Sequence, residues 1–369
     1  MSLDEEIREA KHDIVTDGYD MSIGELINLY KDKELTINPN FQRYFIWSEI
    51  QKTRFIESIL LGIPVPSIFV YQNKDGVWEL VDGLQRLSTL FQFAGILRDP
   101  DGSTYENFVL TGTNMLPSLE AKAWGEGMGE DSEPIGSEHQ LEIKRSRMRV
   151  EILKKESDTQ AKFELFQRLN TGGTHLEPQE VRNAVMLMIN EDFHNWIHEL
   201  SEYEHFKNCI NISDNQEKRQ YHVELVIRFF VYRNKEYFSG LDVHEYIDRG
   251  MLEIADSKEF DKKHEEDIFK NTFKILDKSL GSKTFKKWDG NKFKGKFLIS
   301  AYEAISYGLS QNVDTVYDEL DDSIEFFIEE RVKEIWEDET YINNSGAGVR
   351  GSTRLSNLLP KAEEYFSIK

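Results

Sequence analysis

The stretch ELVDGLQRLSTLFQF, from Glu79 to Phe93, marks the place where the chain changes from a strand to a helix. An apolar, strand-like run stops at Asp82-Gly83, and Gln85-Arg86 then opens an amphipathic helix. Unpaired N–H groups and a partial positive charge favour an anion at a helix N-terminus. Gly83 allows a close approach of the backbone to a ligand, and Arg86 adds a forked contact to phosphate. The stretch therefore predicts an anion site.

Two interpretations of the acidic residue in this stretch stay open. Because Asp82 would repel a phosphate, a functional Asp82 holds a hydrated Mg²⁺, orients Arg86 or positions a water molecule. In the alternative interpretation the stretch is an ordinary turn, in which Asp82 caps the helix and pairs with Arg86.

A second polar site is predicted in NPNFQRYFIW, from Asn38 to Trp47. Gln42 and Arg43 stand between aromatic residues there and would be costly to bury without partners. They either meet a polar ligand or belong to an edge strand with one solvated arginine. The dipeptide Gln-Arg recurs at residues 85–86 and 167–168, which hints at a common use.

A third segment, FQRLNTGGTHLEPQEVRNAV, covers residues 166–185. Its polar, glycine-containing loop precedes a helix that starts near Pro178, since proline suits the first helical turn. Glycine loops of this kind cradle phosphates or bases, but a plain helix–loop–helix corner uses the same residues. The candidate ligand-binding residues of this segment are Asn170, Gly172, Gly173, Glu180, Arg182 and Asn183.

The pattern around these segments predicts an α+β fold. Two strand-like segments flank NKDG, residues 73–76, as in a β-hairpin, and a further strand is expected at MRVEIL, residues 148–153. Capping boxes at Ser22 and Ser48 predict helices that begin after them. From about Ser213 onward the pattern is helical. We predict a small mixed sheet-and-helix domain over residues 1–205 and an α-helical domain over residues 206–369.

The composition excludes several classes of protein. The chain has 369 residues, a formal net charge of −22 and one cysteine, Cys209. One cysteine excludes an intrachain disulfide framework and a cysteine-based zinc cage, and it fits a reducing cytoplasm. The acidic N-terminus is unlike a signal peptide, and no apolar run is long enough to span a membrane. We expect a cytoplasmic protein. Its net negative charge disfavours contact with DNA over the whole surface, so contact with DNA is expected only through a local basic face.

Two segments of the C-terminal half carry such positive charge. Residues 282–297, SKTFKKWDGNKFKGKF, contain six lysines, one acid and four aromatic residues. Lysines beside aromatic rings contact phosphates and stack on bases, so we predict nucleic-acid binding by Lys286, Lys287 and Trp288. Arg350 and Arg354 lie near a predicted helix start and are predicted to contact an anion. The alternative for residues 282–297 is a structural turn with buried aromatic residues and solvated lysines.

The segments FQRYFIW, VDGLQRLSTL and FQRLNTGGTHLEPQEVRNAV, in this order, resemble the GmrS-like family. This family is the N-terminal domain of GmrSD-type modification-dependent restriction systems, and its fold is ParB/sulfiredoxin-like. The resemblance covers residues 22–188 well and the C-terminal half only loosely. It departs from the family at Leu84, where glutamine is common. The loop that carries a catalytic cysteine in sulfiredoxins has none here, which argues against that redox chemistry.

The resemblance implies a nucleotide-dependent function in restriction or anti-phage defence. In the family the Asp-Gly-x-Gln-Arg motif is associated with binding and hydrolysis of nucleoside triphosphates, and the systems act on modified or foreign DNA. We therefore predict a nucleoside triphosphatase that uses a nucleoside triphosphate with Mg²⁺, and in which Asp82 and Arg86 are catalytic. The residues predicted to bind the nucleotide and its phosphates are Gln42, Arg43, Gly83, Gln85, Asn170, Gly172, Gly173, Glu180, Arg182 and Asn183.

Many members of the family also carry a His-Asn-His nuclease, and no matching arrangement stands after residue 204. We therefore do not expect this chain to cleave DNA alone, and a separate nuclease subunit is a predicted partner. One alternative is a ParB-like regulatory module that binds nucleotide or DNA without appreciable catalysis. Another is an interaction protein whose acidic helical half docks a basic partner. The sequence leaves the nucleotide, the DNA modification and homo-oligomerisation open.

Overall fold

The computed structural model describes residues 2–3, 16–37, 45, 47–73, 75–99, 102–128, 131–154, 163, 178–238, 240–320, 323–346 and 348–368. The chain divides into two compact units, Met1–His175 and Leu176–Lys369.

A five-stranded mixed sheet forms the centre of the described part of the first unit. Its strands are β1 (Thr16–Ser22), β2 (Leu35–Thr36), β3 (Ile68–Gln72), β4 (Trp78–Asp82) and β7 (Arg147–Leu153). Their order across the sheet is β1-β7-β3-β4-β2. The pairs β1–β7 and β3–β4 are antiparallel, whereas β3–β7 and β2–β4 are parallel. Two shorter strands, β5 (Lys122–Ala123) and β6 (Glu133–Pro134), pair apart from this sheet.

The helices described in the first unit are α1 (Ile23–Lys31), α2 (Glu49–Leu60), α3 (Leu84–Phe93) and α4 (Ser137–Arg145). The predicted helix starts are confirmed: the Ser22 side chain accepts a hydrogen bond from the N–H of Glu25, and Ser48 forms a capping box with Gln51. Apolar residues of α1, α2 and α3 are buried in one core with residues of β3 and β7. This core fixes the position at which β4 passes into α3.

The hairpin predicted around residues 73–76 is confirmed by the antiparallel pairing of β3 and β4. The Asn73 side chain accepts hydrogen bonds from the N–H groups of Asp75 and Val77, and Gly76 takes a φ of +85°. An asparagine that folds its own turn in this way sets the register of the strands beside it. The end of β4 at Asp82 is therefore fixed by a local turn that lies six to nine residues earlier in the sequence.

The second unit is helical apart from one small hairpin, within the residues that the structure describes. The longer helices are α5 (Pro178–Ile189), α6 (Glu191–Ser201), α9 (Tyr221–Asn234), α10 (Val243–Asp256), α11 (Lys262–Ser279), α12 (Ile299–Leu320), α13 (Ile324–Ile335) and α15 (Gly351–Tyr365). The shorter ones are α7 (Glu204–Ile210), α8 (Asp214–Lys218) and α14 (Glu339–Ser345). The hairpin consists of β8 (Lys287–Trp288) and β9 (Phe293–Lys294).

The predicted fold class is confirmed, because a small mixed sheet with helices is followed by a helical region. The predicted boundary between residues 205 and 206 lies later than the division of the structure. Helix α5 packs against α9 and α10, and α6 packs against α9, so both helices belong to the second unit. Residues 164–177, which include the first part of the third predicted segment, lie outside the described residues.

Candidate functional site

The turn that joins β4 to α3 contains the first predicted site, Asp82 to Arg86. Gly83 occupies the N-cap position of α3 with φ +103° and ψ 15°, a conformation that other residues adopt only with strain. A Cβ at this position would lie 2.5 Å from Cγ2 of Ile68 in β3. The close approach that Gly83 permits is therefore an approach to the sheet, which explains the glycine without a ligand.

Arg86 lies one helical turn after Asp82, and the two side chains form an ion pair. Its Nη2 donates to Asp82 Oδ2 at 2.9 Å and to the Ser67 carbonyl at 3.0 Å. The alternative interpretation of the turn predicted this pair, and the pair is present. The predicted helix cap by Asp82 is wrong, because the N-cap residue is Gly83 and no side chain caps the helix.

The Asp82–Arg86 pair is open to solvent on the carboxylate side. The Asp82 side chain is 46% exposed, whereas the Arg86 side chain is 15% exposed. Within the described residues, the Arg86 Nε is buried and has no hydrogen-bond partner. Buried polar groups normally have a partner, so this N–H is suited to an acceptor that approaches the turn. The carboxylate therefore orients a guanidinium that keeps one unused donor.

Gln85 connects the first predicted segment with the second. Its Oε1 accepts a hydrogen bond of 3.1 Å from the backbone N–H of Trp47, the last residue of NPNFQRYFIW. Gln42 and Arg43 themselves lie outside the described residues. The C-terminal end of their segment is nevertheless held at the first turn of α3. Two of the three predicted segments thus meet at one helix start.

Lys52 in α2 is a polar residue of this region that sequence reasoning missed. Its Nζ donates to Gln92 Oε1 at 2.8 Å and lies 4.5 Å from the ring centre of Phe45 and 5.3 Å from that of Phe108. Burial lowers the pKa of the Lys52 ammonium group, an effect that Glu49 partly opposes. The available signal was helical spacing, since Lys52 stands three residues before the buried Phe55.

The third predicted segment contributes only partly to the described structure. Asn170, Gly172 and Gly173 lie outside the described residues, and the Glu180 side chain is not described. Asn183 accepts a hydrogen bond of 2.7 Å from Gln179 Nε2 and donates to Gln220. These contacts place the Asn183 amide inside the second unit.

Arg182 is fully buried and is surrounded by polar groups of the second unit. Its Nε lies 2.6 Å from Asp248 Oδ1 and its Nη1 3.2 Å from Glu224 Oε2. Its Nη2 lies 3.0 Å from His244 Nδ1. The predicted phosphate contact has no support in this arrangement, because the guanidinium already neutralises two carboxylates. We therefore leave Arg182 out of the proposed site.

The ion pairs of Arg182 continue as a chain of alternating charges across the helical unit. Arg228 Nη2 lies 2.7 Å from Glu224 Oε1, and Arg228 Nη1 lies 3.4 Å from Glu303 Oε1. Burial raises the pKa of Glu224, but Arg228 and then Arg182 outweigh it, so this pKa lies below its ordinary value. Asp248 lies at one end of this series of ion pairs. Burial raises the pKa of its carboxyl group, although Arg182 acts in the opposite direction.

Arg354, which was predicted to contact an anion, lies instead at the end of this series of ion pairs. Its Nε lies 2.5 Å from Glu303 Oε2 and its Nη2 3.1 Å from Glu303 Oε1, and the Glu303 side chain is fully buried. A forked arginine contact of this kind occupies the side that would face a phosphate. Arg350 is exposed at the N-cap of α15, where its predicted anion contact stays a prediction.

The predicted nucleic-acid residues Lys286, Lys287 and Trp288 lie at the hairpin of β8 and β9. Trp288 is opposite Phe293 in register, with ring centres 4.9 Å apart, and Lys333 Nζ lies 5.2 Å from the Trp288 ring centre. Phe285 is buried in the core. Both observations favour the alternative for the aromatic residues, which pack within the protein. Lys287 is exposed and Lys286 is partly buried.

Two kinds of feature are absent from the described residues. No group of three or more histidine, cysteine, aspartate or glutamate side chains is arranged there to hold a metal ion. In the same part of the chain, no helix has both the length and the apolar character needed to span a membrane.

The fold and the site define an α+β domain with an arginine-bearing helix start, followed by a helical unit. Residues 23–187 match the family model of the GmrSD restriction endonuclease, N-terminal domain. This match supports a GmrSD-type restriction system N-terminal domain in this part of the chain, and it implies a component of a restriction or defence system. The matched range includes Trp47, the turn at Asp82–Arg86 and most of α5. A search of the curated proteins and a search of the solved structures each returned no match.

Proposed function

We propose that this chain binds a nucleoside triphosphate and hydrolyses it as a component of a DNA restriction or anti-phage defence system. The phosphates bind at the turn between β4 and α3. The observation that carries this proposal is the hydrogen bond between the Gln85 side chain and the Trp47 backbone. It brings the end of the segment with Gln42 and Arg43 to the helix start that carries Arg86.

The turn offers a phosphate two kinds of donor. The first N–H groups of a helix have no intrahelical acceptor, and the helix dipole adds partial positive charge there. No side chain caps α3, so its first N–H groups are not used by a cap. The Arg86 guanidinium adds a permanent charge with one unused N–H. We assign further phosphate contacts to Gln42 and Arg43, which precede Trp47, and to Asn170, Gly172 and Gly173, all of which lie outside the described residues.

Asp82 acts through Arg86 and through the carboxylate oxygen that Arg86 does not engage; its side chain as a whole is 46% exposed. The Oδ2 atom holds the guanidinium in place, so the arginine is oriented before the phosphate binds. The other oxygen is suited to a hydrated Mg²⁺, which needs only one or two protein carboxylates when phosphates supply further ligands. When bound, Mg²⁺ neutralises charge on the phosphates. The residues present fit that role.

A second function, binding without turnover, is favoured by a specific observation. The motif carboxylate Asp82 is already paired with Arg86, so its Oδ2 accepts a hydrogen bond from the guanidinium and is not available to a water molecule. A ParB-like regulatory module needs the phosphate contacts but not this base. In that case nucleotide binding switches a partner protein, for example a separate nuclease subunit.

Phosphate release and thermal stability together distinguish the two functions. The full chain is incubated with ATP, GTP and CTP, each with and without Mg²⁺. Hydrolysis predicts release of inorganic phosphate with at least one nucleotide, and its loss in Arg86→Ala. Binding without turnover predicts a higher melting temperature with nucleotide and no phosphate. Arg145→Ala, an exposed arginine in α4, is the matched control and retains the wild-type result.

Two results would contradict both functions. If no nucleotide releases phosphate or raises the melting temperature, the turn is a structural element. The same conclusion follows if Arg86→Ala and Arg145→Ala bind nucleotide equally well.

A further inference from the structure

Lys52 in α2 lies beside two aromatic rings and one side-chain amide. Its Nζ lies 4.5 Å from the ring centre of Phe45 and 5.3 Å from that of Phe108. It also donates a hydrogen bond of 2.8 Å to Gln92 Oε1 in α3. A cation near the face of an aromatic ring is attracted by the negative charge of that face, and the attraction is stronger where water is excluded. The ammonium group therefore connects Phe45 to α3.

Both ends of this connection are fixed by the fold. The backbone of Lys52 belongs to the first turns of α2, whose start is set by the capping box of Ser48 and Gln51. On the other side, Gln92 Nε2 donates to the Glu106 carbonyl at 2.9 Å, so the amide that accepts from Lys52 has one orientation. A long side chain loses its rotamer freedom when it is held in this way. The ammonium group is therefore confined to one position.

Trp47 makes a second contact with α3, close to Phe45 in the sequence. The Trp47 backbone N–H donates to Gln85 Oε1 at 3.1 Å. Gln85 and Gln92 are seven residues apart, so they lie on nearly the same face of α3 and about 10 Å from each other along the helix. This face of α3 thus holds Trp47 directly, at its first turn, and Phe45 through Lys52, near its end.

We propose that Lys52 is a positioning residue for the nucleotide site at the start of α3. By holding Phe45, Lys52 keeps the Trp47 N–H on Gln85, and this hydrogen bond fixes the orientation of the Gln85 amide at the site. Lys52 acts through Gln85 and not by contact with phosphate, because its ammonium group is engaged by Gln92 and the rings. The role rests on the proposed function, because it belongs to the same site.

Two substitutions of Lys52 separate this role from simple filling of space. Lys52→Met keeps an unbranched side chain but loses the charge and the hydrogen bond to Gln92. Lys52→Arg keeps a charge that stacks on aromatic faces and donates to an amide oxygen. The positioning role predicts that arginine rescues and methionine does not. Filling of space predicts the opposite order, because methionine adapts to an apolar gap and a larger side chain overpacks it.

The first measurement is hydrogen exchange of the Trp47 amide in the full chain without nucleotide, followed by mass spectrometry. A hydrogen-bonded amide exchanges when its contact opens, so we expect exchange about threefold faster or more in Lys52→Met, and near the wild-type rate in Lys52→Arg. Lys144→Met is the matched control, because Lys144 Nζ lies 5.5 Å from the ring centre of Trp124 in the same unit. This control is expected to keep the wild-type rate.

The second measurement is steady-state phosphate release at varied concentrations of ATP, GTP and CTP with Mg²⁺, and calorimetric titration with the same nucleotides. In Lys52→Met, we expect KM or Kd to rise about fivefold to tenfold, as loss of the ring contact and the hydrogen bond implies. The kcat should change by less than about twofold, since Lys52 acts on binding. Phe45→Leu should give a similar loss. Lys52→Met/Phe45→Leu should lose no more than either single variant, because the two residues act as one unit.

Four outcomes would overturn the role of Lys52. They are an unchanged Trp47 exchange rate in Lys52→Met, equal impairment of Lys52→Arg and Lys52→Met, additive losses in the double variant, and faster exchange with unchanged nucleotide affinity. A wild type that responds to none of the three nucleotides contradicts the proposed function instead. The exchange rates then still decide whether Lys52 holds Trp47 on α3.

Discussion

Arg86 and Arg182 both follow a predicted helix start by a few residues, and both were predicted to meet a phosphate. The structure gives them opposite environments. The Arg86 side chain is 15% exposed and faces a carboxylate that is 46% exposed. The Arg182 side chain is fully buried between carboxylates that are 10% and 6% exposed. The same residue type at a similar helical position thus lies beside a half-exposed carboxylate in one unit and between buried carboxylates in the other.

The difference follows from the cost of burying charge. A guanidinium without solvent must be neutralised and hydrogen-bonded by the protein itself. Arg182 meets this requirement with Asp248, Glu224 and His244. Little of the hydrogen-bonding capacity of its guanidinium therefore remains for a ligand. Arg86 keeps a half-exposed partner and a donor without an acceptor. The degree of burial therefore decides which arginine can respond to an anion.

The largest expected effect comes from Arg182→Ala. This change leaves Asp248 and Glu224 buried without their shared counter-charge, and loss of one partner from a buried pair costs about 3–5 kcal/mol. For a unit of this size that corresponds to a drop on the order of 10 °C in melting temperature. The measurement is urea-induced unfolding of the second unit, followed by labelling of the chain's single thiol.

Cys209 makes that measurement specific to the helical unit. It is buried in α7, and burial raises the pKa of its thiol above the ordinary value, so it is inert in the folded unit. We expect labelling at markedly lower urea in Arg182→Ala than in the wild type. An unchanged labelling curve would mean that the ion pairs of Arg182 do not stabilise the second unit. That result would contradict the proposed difference between Arg182 and Arg86.

Part of this contrast was open to prediction from the sequence. The helix starts at Ser22 and Ser48, the hairpin turn at residues 73–76 and the strand at residues 148–153 are encoded by neighbouring residues, and all of them were predicted. The Asp82–Arg86 pair is also local, since the two residues are four apart. Local rules suffice wherever both partners lie on one element or one turn.

The buried environment of Arg182 could not be predicted from local rules of this kind. Its partners Glu224 and Asp248 lie 42 and 66 residues further along the chain. Which helices pack together depends on tertiary contacts that no short window contains. The contact of Arg354 could not be predicted for the same reason, since its partner Glu303 belongs to α12. Lys52 was missed because its acceptor, Gln92, lies on α3.

A smaller effect on stability is expected from Gly83→Ala, which tests how rigidly the turn presents Arg86. The added Cβ would require a φ of +103° and would lie 2.5 Å from the Ile68 side chain. Strain at such a position costs roughly 1–2 kcal/mol, and overpacking adds about 1–3 kcal/mol. We expect a lower melting temperature for the first unit, with Cys209 labelling of the second unit unchanged.

Gly76→Ala is the matched control for that change. Gly76 has a φ of +85°, but a Cβ there would have no atom within 4 Å. The control therefore contains the backbone strain without the clash against the sheet. If both alanine variants lose the same stability, the packing of Gly83 on Ile68 contributes nothing, and the glycine is explained by backbone conformation alone.

The smallest effect on stability is expected from Arg86→Ala, although its effect on nucleotide binding should be the largest. An ion pair with a half-exposed partner contributes at most about 1 kcal/mol, so the melting temperature should fall by only a few degrees. Differential scanning calorimetry of Arg86→Ala and Arg182→Ala, with and without nucleotide, compares the two arginines directly. Arg182→Ala should lose stability and retain the stabilisation by nucleotide, whereas Arg86→Ala should do the reverse. If Arg86→Ala instead unfolds as readily as Arg182→Ala, the pair with Asp82 is a structural element, because an arginine kept for a ligand should be dispensable to the fold.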